Sequence, residues 1–416
     1  MSVMTCEVQK LRDISTLDKG KPPAQHPYFW HDAELYLTPE YLRGRGTAEP
    51  VKASVNAVRV LDGDTIVLWD GSNAGEFFRA RRGILASTMS RISHDDTFDK
   101  EYFFYAVKHW ESFLKGQTSG SGIPHVDKEV LGKIEVFQFP KPEQTKIAEV
   151  LLTVDQAIEQ TEALIAKQQR IKTGLMQDLL TRGIDEHGNL RSEQTHEFKD
   201  SPLGRIPVEW EVQPCIALCR EIVVGIVIRP MQYYRPDGVP VLRSANVKEN
   251  RITSEVLVFM SDKDNEKLSK SRLRKGDLVT VRTGYPGTTG VIPPELDGSN
   301  CVDIVISRPN HEKVRSEFLS IWINSDHGKK QVIEGQGGLA QQHFNVGEMR
   351  TLLVKVPDIN EQEIIENLLI LQSSAIDELA ENQQKLRSLK TALMQDLLTG
   401  KKRITALLND TEEISS

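Results

Sequence analysis

Two thiols offer the first candidate chemistry. Cys215 and Cys219 stand four apart, so on a helix they would share a face and present two ligands to a metal. A tetrahedral site needs two more, and no Cys or His pair lies nearby. Cys6 and Cys301 are far away in sequence, so the four cysteines read as buried thiols, with no metal site and no disulfide scaffold. Signatures of catalysis are missing as well. There is no GxxxxGK phosphate loop, no HExxH, no GxSxG elbow and no GxGxxG after a strand. His26-Pro27-Tyr28-Phe29 echoes the Asn/Asp-Pro-Pro-Tyr/Phe motif of amino-methyltransferases but lacks the amide that would hold the target amine. Pro236-Asp237 and Pro357-Asp358 lead into no strand carrying the acid-x-Lys of a nuclease. The chain is expected to do no chemistry of its own.

Binding residues are better represented. The run KLSKSRLRKGDLVTVR at 267–282 holds six bases, among them Lys270, Arg272, Arg274, Lys275 and Arg282, against one acid, and it enters a Gly/Pro turn carrying Tyr285. Cations beside glycine turns suit phosphate contact, because both the charge and backbone N–H groups can approach the oxygens. In the first half Arg79, Arg81, Arg82 and Arg91 flank Ser87 and Thr88, and His125 follows a Gly/Ser-rich run. Arg243, Asn246, Gln341 and Gln342 are the types that make bidentate contacts to base edges. A solvated charged face is the plain alternative for any one of them. Net charge is -7 and so does not favour a binder of nucleic acid over its whole surface, but the sign is uneven. Residues 361–416 carry ten acids and six bases, whereas 207–358 carry twenty bases and nineteen acids, so local patches decide.

What must position these residues is a repeat. KTGLMQDLLT at 172–181 returns as KTALMQDLLT at 390–399, nine of ten residues agreeing at a spacing of 218. The same offset matches Glu143-Gln144 with Glu361-Gln362 and Ala157-Ile158 with Ala375-Ile376. Each copy has apolar residues three and four apart with no proline in between, which predicts a long helix. The seam in the first copy is Ile147, Leu151, Val154, Ile158, Ile165, Lys172, Leu175 and Leu179. In the second it is Ile365, Leu369, Ile376, Leu379, Leu386, Lys390, Leu393 and Leu397. Five heptads predict a coiled coil, and Lys172 and Lys390 at one seam position would set register at some cost in stability. Upstream, FQFP at 137–140 pairs with VKVP at 354–357, with one extra residue before Gln362. His125-Val126-Asp127 pairs with His343-Phe344-Asn345, Gly63-Asp64 with Gly276-Asp277, and Glu7-Val8-Gln9 with Glu211-Val212-Gln213.

The expected organisation is a globular domain at 1–142, a helix at 143–182, a polar linker at 183–206, a second globular domain at 207–358, a helix at 359–400 and a polar tail at 401–416. The first helix delivers the chain to the second globule, so the two helices can pair simply only if antiparallel. The predicted fold class is therefore α+β: two domains of mixed short strands joined by an antiparallel coiled coil with pseudo-twofold symmetry. With 39% apolar and 27% charged residues the chain can bury a sizeable core. It has no apolar stretch of bilayer length and no secretory leader, so no membrane is expected and the expected address is the cytoplasm.

LMQDLLTRGI followed by FKDSPLGRIPVEWEV, the pre-helix Pro-x-x-Glu-Gln and the terminal LMQDLLTGKKRI resemble the specificity subunits of type I restriction-modification systems over nearly the whole chain. That resemblance implies two target-recognition domains reading a bipartite double-stranded DNA target, with the paired helices setting the spacer. It further implies assembly with two modification (methyltransferase) subunits and with restriction subunits. S-adenosylmethionine, ATP and magnesium would then belong to those partners, leaving this chain without cofactors. One departure is that the first half has no counterpart of LGRIPVEW at 203–210 before Glu7, read as divergence of the recognising parts, with N-terminal truncation as the alternative. A coiled-coil adaptor without DNA specificity is the competing class, and steep loss of affinity with salt separates the two.

Overall fold

The computed structural model describes residues 7–25, 31–117, 124–335 and 343–404. It forms two compact units, Met1–Ala163 with Ala380–Ser416, and Leu164–Leu379. Among the described residues no helix is long and apolar enough to cross a membrane. The secondary structure is a mixture of helices and short strands.

In the first unit Glu7–Lys10 pairs antiparallel with Glu135–Gln138. A four-stranded antiparallel sheet follows in the order Ser15–Lys19, Met89–His94, Thr65–Leu68, Phe77–Arg79. A second four-stranded sheet holds a parallel pair, Ala33–Leu37 beside Gly83–Leu85. The strands are short because Gly/Pro turns interrupt the apolar runs every few residues. Lys100–Lys108 is the main helix of this domain, capped by Asp99, and it buries Tyr102, Phe103, Tyr105 and Val107.

The second unit repeats this plan. Glu211–Pro214 pairs with Leu353–Val356. The four-stranded sheet runs Cys219–Val224, Ile304–Pro309, Leu278–Val281, Thr289–Val291, and a parallel pair again appears, Val239–Leu242 beside Asn300–Cys301. Asp127 and Asn345 each cap a short helix, so the His125 and His343 motifs are structurally matched. Cys215, Cys219 and Cys301 are free and buried, and burial pushes the Cys219 thiol up to about 12. Among the described residues no cluster of three or more His, Cys, Asp or Glu is placed to hold a metal.

The long helices are Lys141–Leu179 and Ile359–Leu398. Each begins at a Glu-Gln pair whose side chains are buried, and the two amides do the same work. Gln144 accepts from the Asp99 N–H (2.7 Å) and donates to the carbonyls of Thr97 (3.0 Å) and Phe139 (2.7 Å). Gln362 accepts from the Arg315 N–H (2.9 Å) and donates to the carbonyls of Lys313 (3.1 Å) and Pro357 (2.9 Å). Each glutamine thus ties strand, domain helix and long helix together through otherwise orphaned backbone groups.

These bonds correct the sequence register. Phe139 corresponds to Pro357 and Pro140 to Asp358, and the strand partners agree, since Glu7 faces Gln138 as Glu211 faces Val356. The spacing of 218 holds throughout and there is no extra residue. The two prolines misled because they fill different places. In the second copy Asp358 occupies the cap position, accepting from the N–H groups of Asn360 and Glu361, where the first copy has Pro140, whose carbonyl accepts from Glu143 and Gln144.

Glu143 and Glu361 are held by arginines from distant sequence. Arg403 reaches Glu143 with Nε at 2.7 Å and Nη2 at 2.6 Å. Glu361 accepts from Arg191 Nη1 (2.5 Å), Trp210 Nε1 (3.0 Å) and the Ile184 N–H (2.8 Å). In both units, then, the foot of one long helix is gripped by chain that follows the other. Residues 183–206, expected as a polar linker, are packed into the second unit through Ile184, Arg191 and Ile206. Gly183 must be glycine, because its φ is +63° and a Cβ there would come within 2.1 Å of Glu361 Oε1.

Within the first unit the opening turns of the first long helix pack against the closing turns of the second, Ile147 and Leu151 sharing a core with Leu393, Leu397 and Leu398. In the second unit Leu175 and Leu179 share a core with Ile365 and Leu369, and Gln372 donates to Gln168 at 2.9 Å. The helices are therefore antiparallel neighbours within each unit. Every seam residue named from the sequence is buried or half-buried, which is where a helix of this length draws its stability.

Two predictions follow from buried charge. Glu361→Ala leaves Arg191 and the Trp210 N–H without their partner and is expected to cost about 3–5 kcal/mol. Glu143→Ala, whose partner Arg403 is more exposed, should cost about 1–3 kcal/mol; equal losses in urea unfolding would contradict this ranking. Lys355, 1% exposed, stands where the first unit has Phe137, and burial pushes its ammonium down to about 8. The unfolded chain binds that proton more tightly, so stability falls as pH drops from about 10.4 to 8 and stays reduced below. Lys355→Met is expected to raise stability at pH 7 by on the order of 3 kcal/mol. The gain should close towards pH 10.4 when urea midpoints of variant and parent are compared.

Candidate nucleic-acid interface

The rim of each domain is built from the same strand end and the same histidine motif. In the first unit the Val126 N–H donates to the Trp69 carbonyl (2.9 Å), the Gly71 N–H to Pro124 (2.9 Å), and Asp70 forms an isolated bridge with exposed His125. In the second the Phe344 N–H donates to the Arg282 carbonyl (2.9 Å), and Thr283 Oγ1 lies 3.4 Å from His343 Nδ1. Lys19 reaches Asp70 at 2.9 Å on the first rim. Tyr285, 84% exposed, stands on the second.

The structure divides the candidate cations into two groups. Lys270, Arg272, Arg274 and Lys275 are exposed, and their side chains make no hydrogen bond and no ion pair within 4 Å among the described residues. Backbone order fixes them: the carbonyls of Lys270 and Arg272 accept from Arg308 Nη2, and the Lys275 N–H donates to Asp297 (2.9 Å). Arg81 and Arg82 are exposed too, Arg81 lying 5.7 Å from the Tyr41 ring centre. Thr88 is exposed and Ser87 half-buried, its N–H directed at the Tyr36 hydroxyl. These side chains are available to an anionic partner.

Others are committed internally, and these corrections have physical causes. Arg79 stands over the rings of Phe104 (4.1 Å) and Tyr105 (4.5 Å) and pairs with Glu101 at 2.7 Å, so it is a packing residue. Arg91 pairs with Asp18 at 2.7 Å and donates to the Arg59 carbonyl. Arg282 pairs with Asp303, and Arg243 donates to the Val256 carbonyl. Asn246 is 1% exposed; its Oδ1 accepts from the Arg243 N–H, and its Nδ2 donates to the carbonyls of Thr253 and Glu255. A side chain so placed cannot reach a base edge. Gln341 and Gln342 lie outside the described residues, as do Cys6 and the His26-Pro27-Tyr28-Phe29 motif.

Sequence reasoning missed the loop after Cys219–Val224. The apolar run at 222–228 suggests one strand, yet its antiparallel ladder ends at Val224, and Ile228 (74% exposed) and Met231 (77% exposed) stand out in solvent beside Arg229. Both ends are pinned, the Ile226 N–H to the Cys301 carbonyl (2.9 Å) and the Arg235 N–H to Phe259 (2.8 Å). Arg229 itself adopts φ +45°, a conformation a non-glycine residue rarely holds. Gly225 beside Arg229-Pro230 was the available turn signal.

Comparison with known proteins agrees with this layout. Residues 4–168 match the family described as type I restriction modification DNA specificity domain. The chain is 31% identical to the MjaVIII specificity subunit of a type I restriction enzyme from Methanocaldococcus jannaschii, covering 96% of this chain and 94% of that one. Its fold is similar to the crystal structure of a type I restriction-modification S subunit from M. genitalium, with a TM-score of 0.60, 13% identity, and coverage of 96% and 97%. It is also similar to a chain solved for complex assembly and conformational transition of the type I R-M system, with a TM-score of 0.57, 14% identity, and coverage of 94% and 97%.

The two cation groups should separate experimentally. Lys275→Ala is expected to leave the unfolding midpoint unchanged and to lower the salt dependence of duplex DNA binding by about 0.9 in the log–log slope if it meets one phosphate. Arg79→Ala should lower the unfolding midpoint instead. A reversed pattern would show the division to be mistaken.

Proposed function

This chain belongs to the type I restriction enzyme specificity subunits, and as such is the sequence-specific DNA-recognition component of its system; we propose that each of its two domains reads one half of a bipartite target. The observation that carries this reading is the doubled rim. Both domains turn the same strand end and histidine motif outward, and each also exposes cations beyond the other end of that strand. Phosphate contacts from Arg81, Arg82, Lys270, Arg272, Arg274 and Lys275 would hold each domain on the duplex, while Thr88, His125, Tyr285, Ile228 and Met231 are placed for the grooves.

The domain limits follow the repeat: recognition domains at 1–142 and 207–358, helices at 143–182 and 359–400, a connecting segment at 183–206 and a tail at 401–416. The two long helices form an antiparallel coiled coil with pseudo-twofold symmetry, and its length sets the spacer. Heads on a rod can address two half-sites on one face of B-DNA only when their separation fits near a helical turn, about 34 Å, or a multiple. Two like helix surfaces also suit one chain docking two copies of one partner. Those partners are two modification subunits, joined by restriction subunits for cleavage. S-adenosylmethionine, ATP and magnesium reside on them, and this chain contributes no catalytic residue.

Removing or adding one heptad within 156–170 changes the rod by about 10.5 Å at 1.5 Å per residue. Reconstituted with its modification partner, such a variant is expected to methylate sites whose spacer differs by up to about three base pairs at 3.4 Å each, with both half-site sequences kept. Unchanged spacing in a map of methylated adenines would refute the rod as a ruler.

A further inference from the structure

The two units diverge most sharply where the domain helix meets the long helices. In the first unit this place is filled by an ionic network. Arg79 pairs with Glu101 (2.7 Å) and faces Asp155 (3.8 Å), Tyr105 donates to Asp155 (2.6 Å), and Lys390 pairs with Asp155 (2.5 Å). Burial and the Asp155 carboxylate push the Tyr105 phenol up, keeping it a donor.

The shared strand register and the paired glutamine anchors give the counterparts in the second unit. Val291 stands for Arg79, as the residue facing Leu278 as Arg79 faces Thr65. Glu317 stands for Glu101 and Ile321 for Tyr105, counted from the residue whose N–H the glutamine receives. Ser373 stands for Asp155, and Lys172 for Lys390, at the helix spacing of 218. All five line a single cleft of about 360 Å³, at the small end of the range for small-molecule sites. The guanidinium, phenol and carboxylate that fill the first unit are gone. The two charges that survive, Glu317 and Lys172, are half-buried, and neither makes a side-chain hydrogen bond or an ion pair within 4 Å among the described residues.

One wall of the cleft is set by hydrogen bonds. Ser320 Oγ donates to Asn250 Oδ1 at 2.9 Å, and Asn324 Nδ2 donates to the same oxygen at 2.8 Å and to the Thr289 carbonyl at 2.8 Å. Charge around the lining nearly cancels: Lys172, Lys248 and Arg251 against Glu249, Glu317 and Asp377, with Glu249 already paired to Lys329 at 2.6 Å. A simple cation or anion would therefore gain little, whereas a molecule carrying both signs would meet both orphaned groups.

We infer that this cleft binds a small zwitterion of the amino-acid class, with a carboxylate on Lys172, a cationic nitrogen group against Glu317 and an apolar stem along Val291 and Ile321. The ligand supplies in trans the groups that Asp155 and Arg79 supply in the first unit. Occupancy would brace the second domain against its helices as the ionic network braces the first.

Calorimetric titration of the full chain with L-arginine tests this, with agmatine lacking the carboxylate and L-citrulline lacking the distal cation. Saturable one-to-one binding of arginine at a Kd of ~1 mM or tighter is expected. Agmatine and citrulline should bind about tenfold or more weakly, and so should arginine to Lys172→Met or Glu317→Gln, each loss being that of one charge-assisted hydrogen bond. The triple change Val291→Arg, Ile321→Tyr and Ser373→Asp, which rebuilds the first unit's filling, should abolish binding while the melting temperature stays at or above the parent's. The two single variants alter no packed apolar surface and keep the test decisive if the triple variant misfolds. No saturable heat at ~10 mM arginine, or equal binding by the single variants, overturns the proposal and leaves the cleft a water-filled groove.

Discussion

A carboxylate and an amide at the foot of each long helix hold the architecture together. The amides of Gln144 and Gln362 answer backbone groups of the domain behind them, and the carboxylates of Glu143 and Glu361 receive an arginine from remote sequence. Apolar packing alone would let two antiparallel helices slide by a turn, because a stripe of leucines is nearly self-similar under such a shift. A buried ion pair is not, since one unmatched charge costs several kcal/mol. The pairs therefore act less as sources of net stability than as markers that admit one register.

Much of this arrangement was legible from the chain alone. The repeat at 218 and its heptads located both helices, and the Glu-Gln motif marked where they begin. The residues that periodicity assigned to the seam are buried or half-buried, because burial on a long helix follows spacing with little help from context. The register upstream went wrong by one residue because proline was taken as a fixed point, when Pro140 and Asp358 serve the same position by different chemistry.

Site residues were harder to read. Arg79 and Lys275 are alike in sequence, both strong cations near a strand, yet one is held against two aromatic rings and the other stands in solvent. The difference lies in Phe104, Tyr105 and Asp155, which are 25 to 76 residues away from Arg79, and no local pattern reports them. Asn246 was misjudged for a related reason: asparagine suits a base edge and a tight turn equally, and here the turn took both ends of the amide. Ile228 and Met231 were overlooked because exposed apolar residues look like core in one dimension.

The arginine that clamps Glu143 and the leucines that cover Ile147 and Leu151 come from residues 393–403. During synthesis the first unit therefore emerges incomplete and must wait for more than two hundred further residues before its core can close. Until then its apolar helix face is open to chaperones and proteases. A chain cut short before residue 393 lacks both the leucines and the arginine, and its first unit keeps that apolar face uncovered.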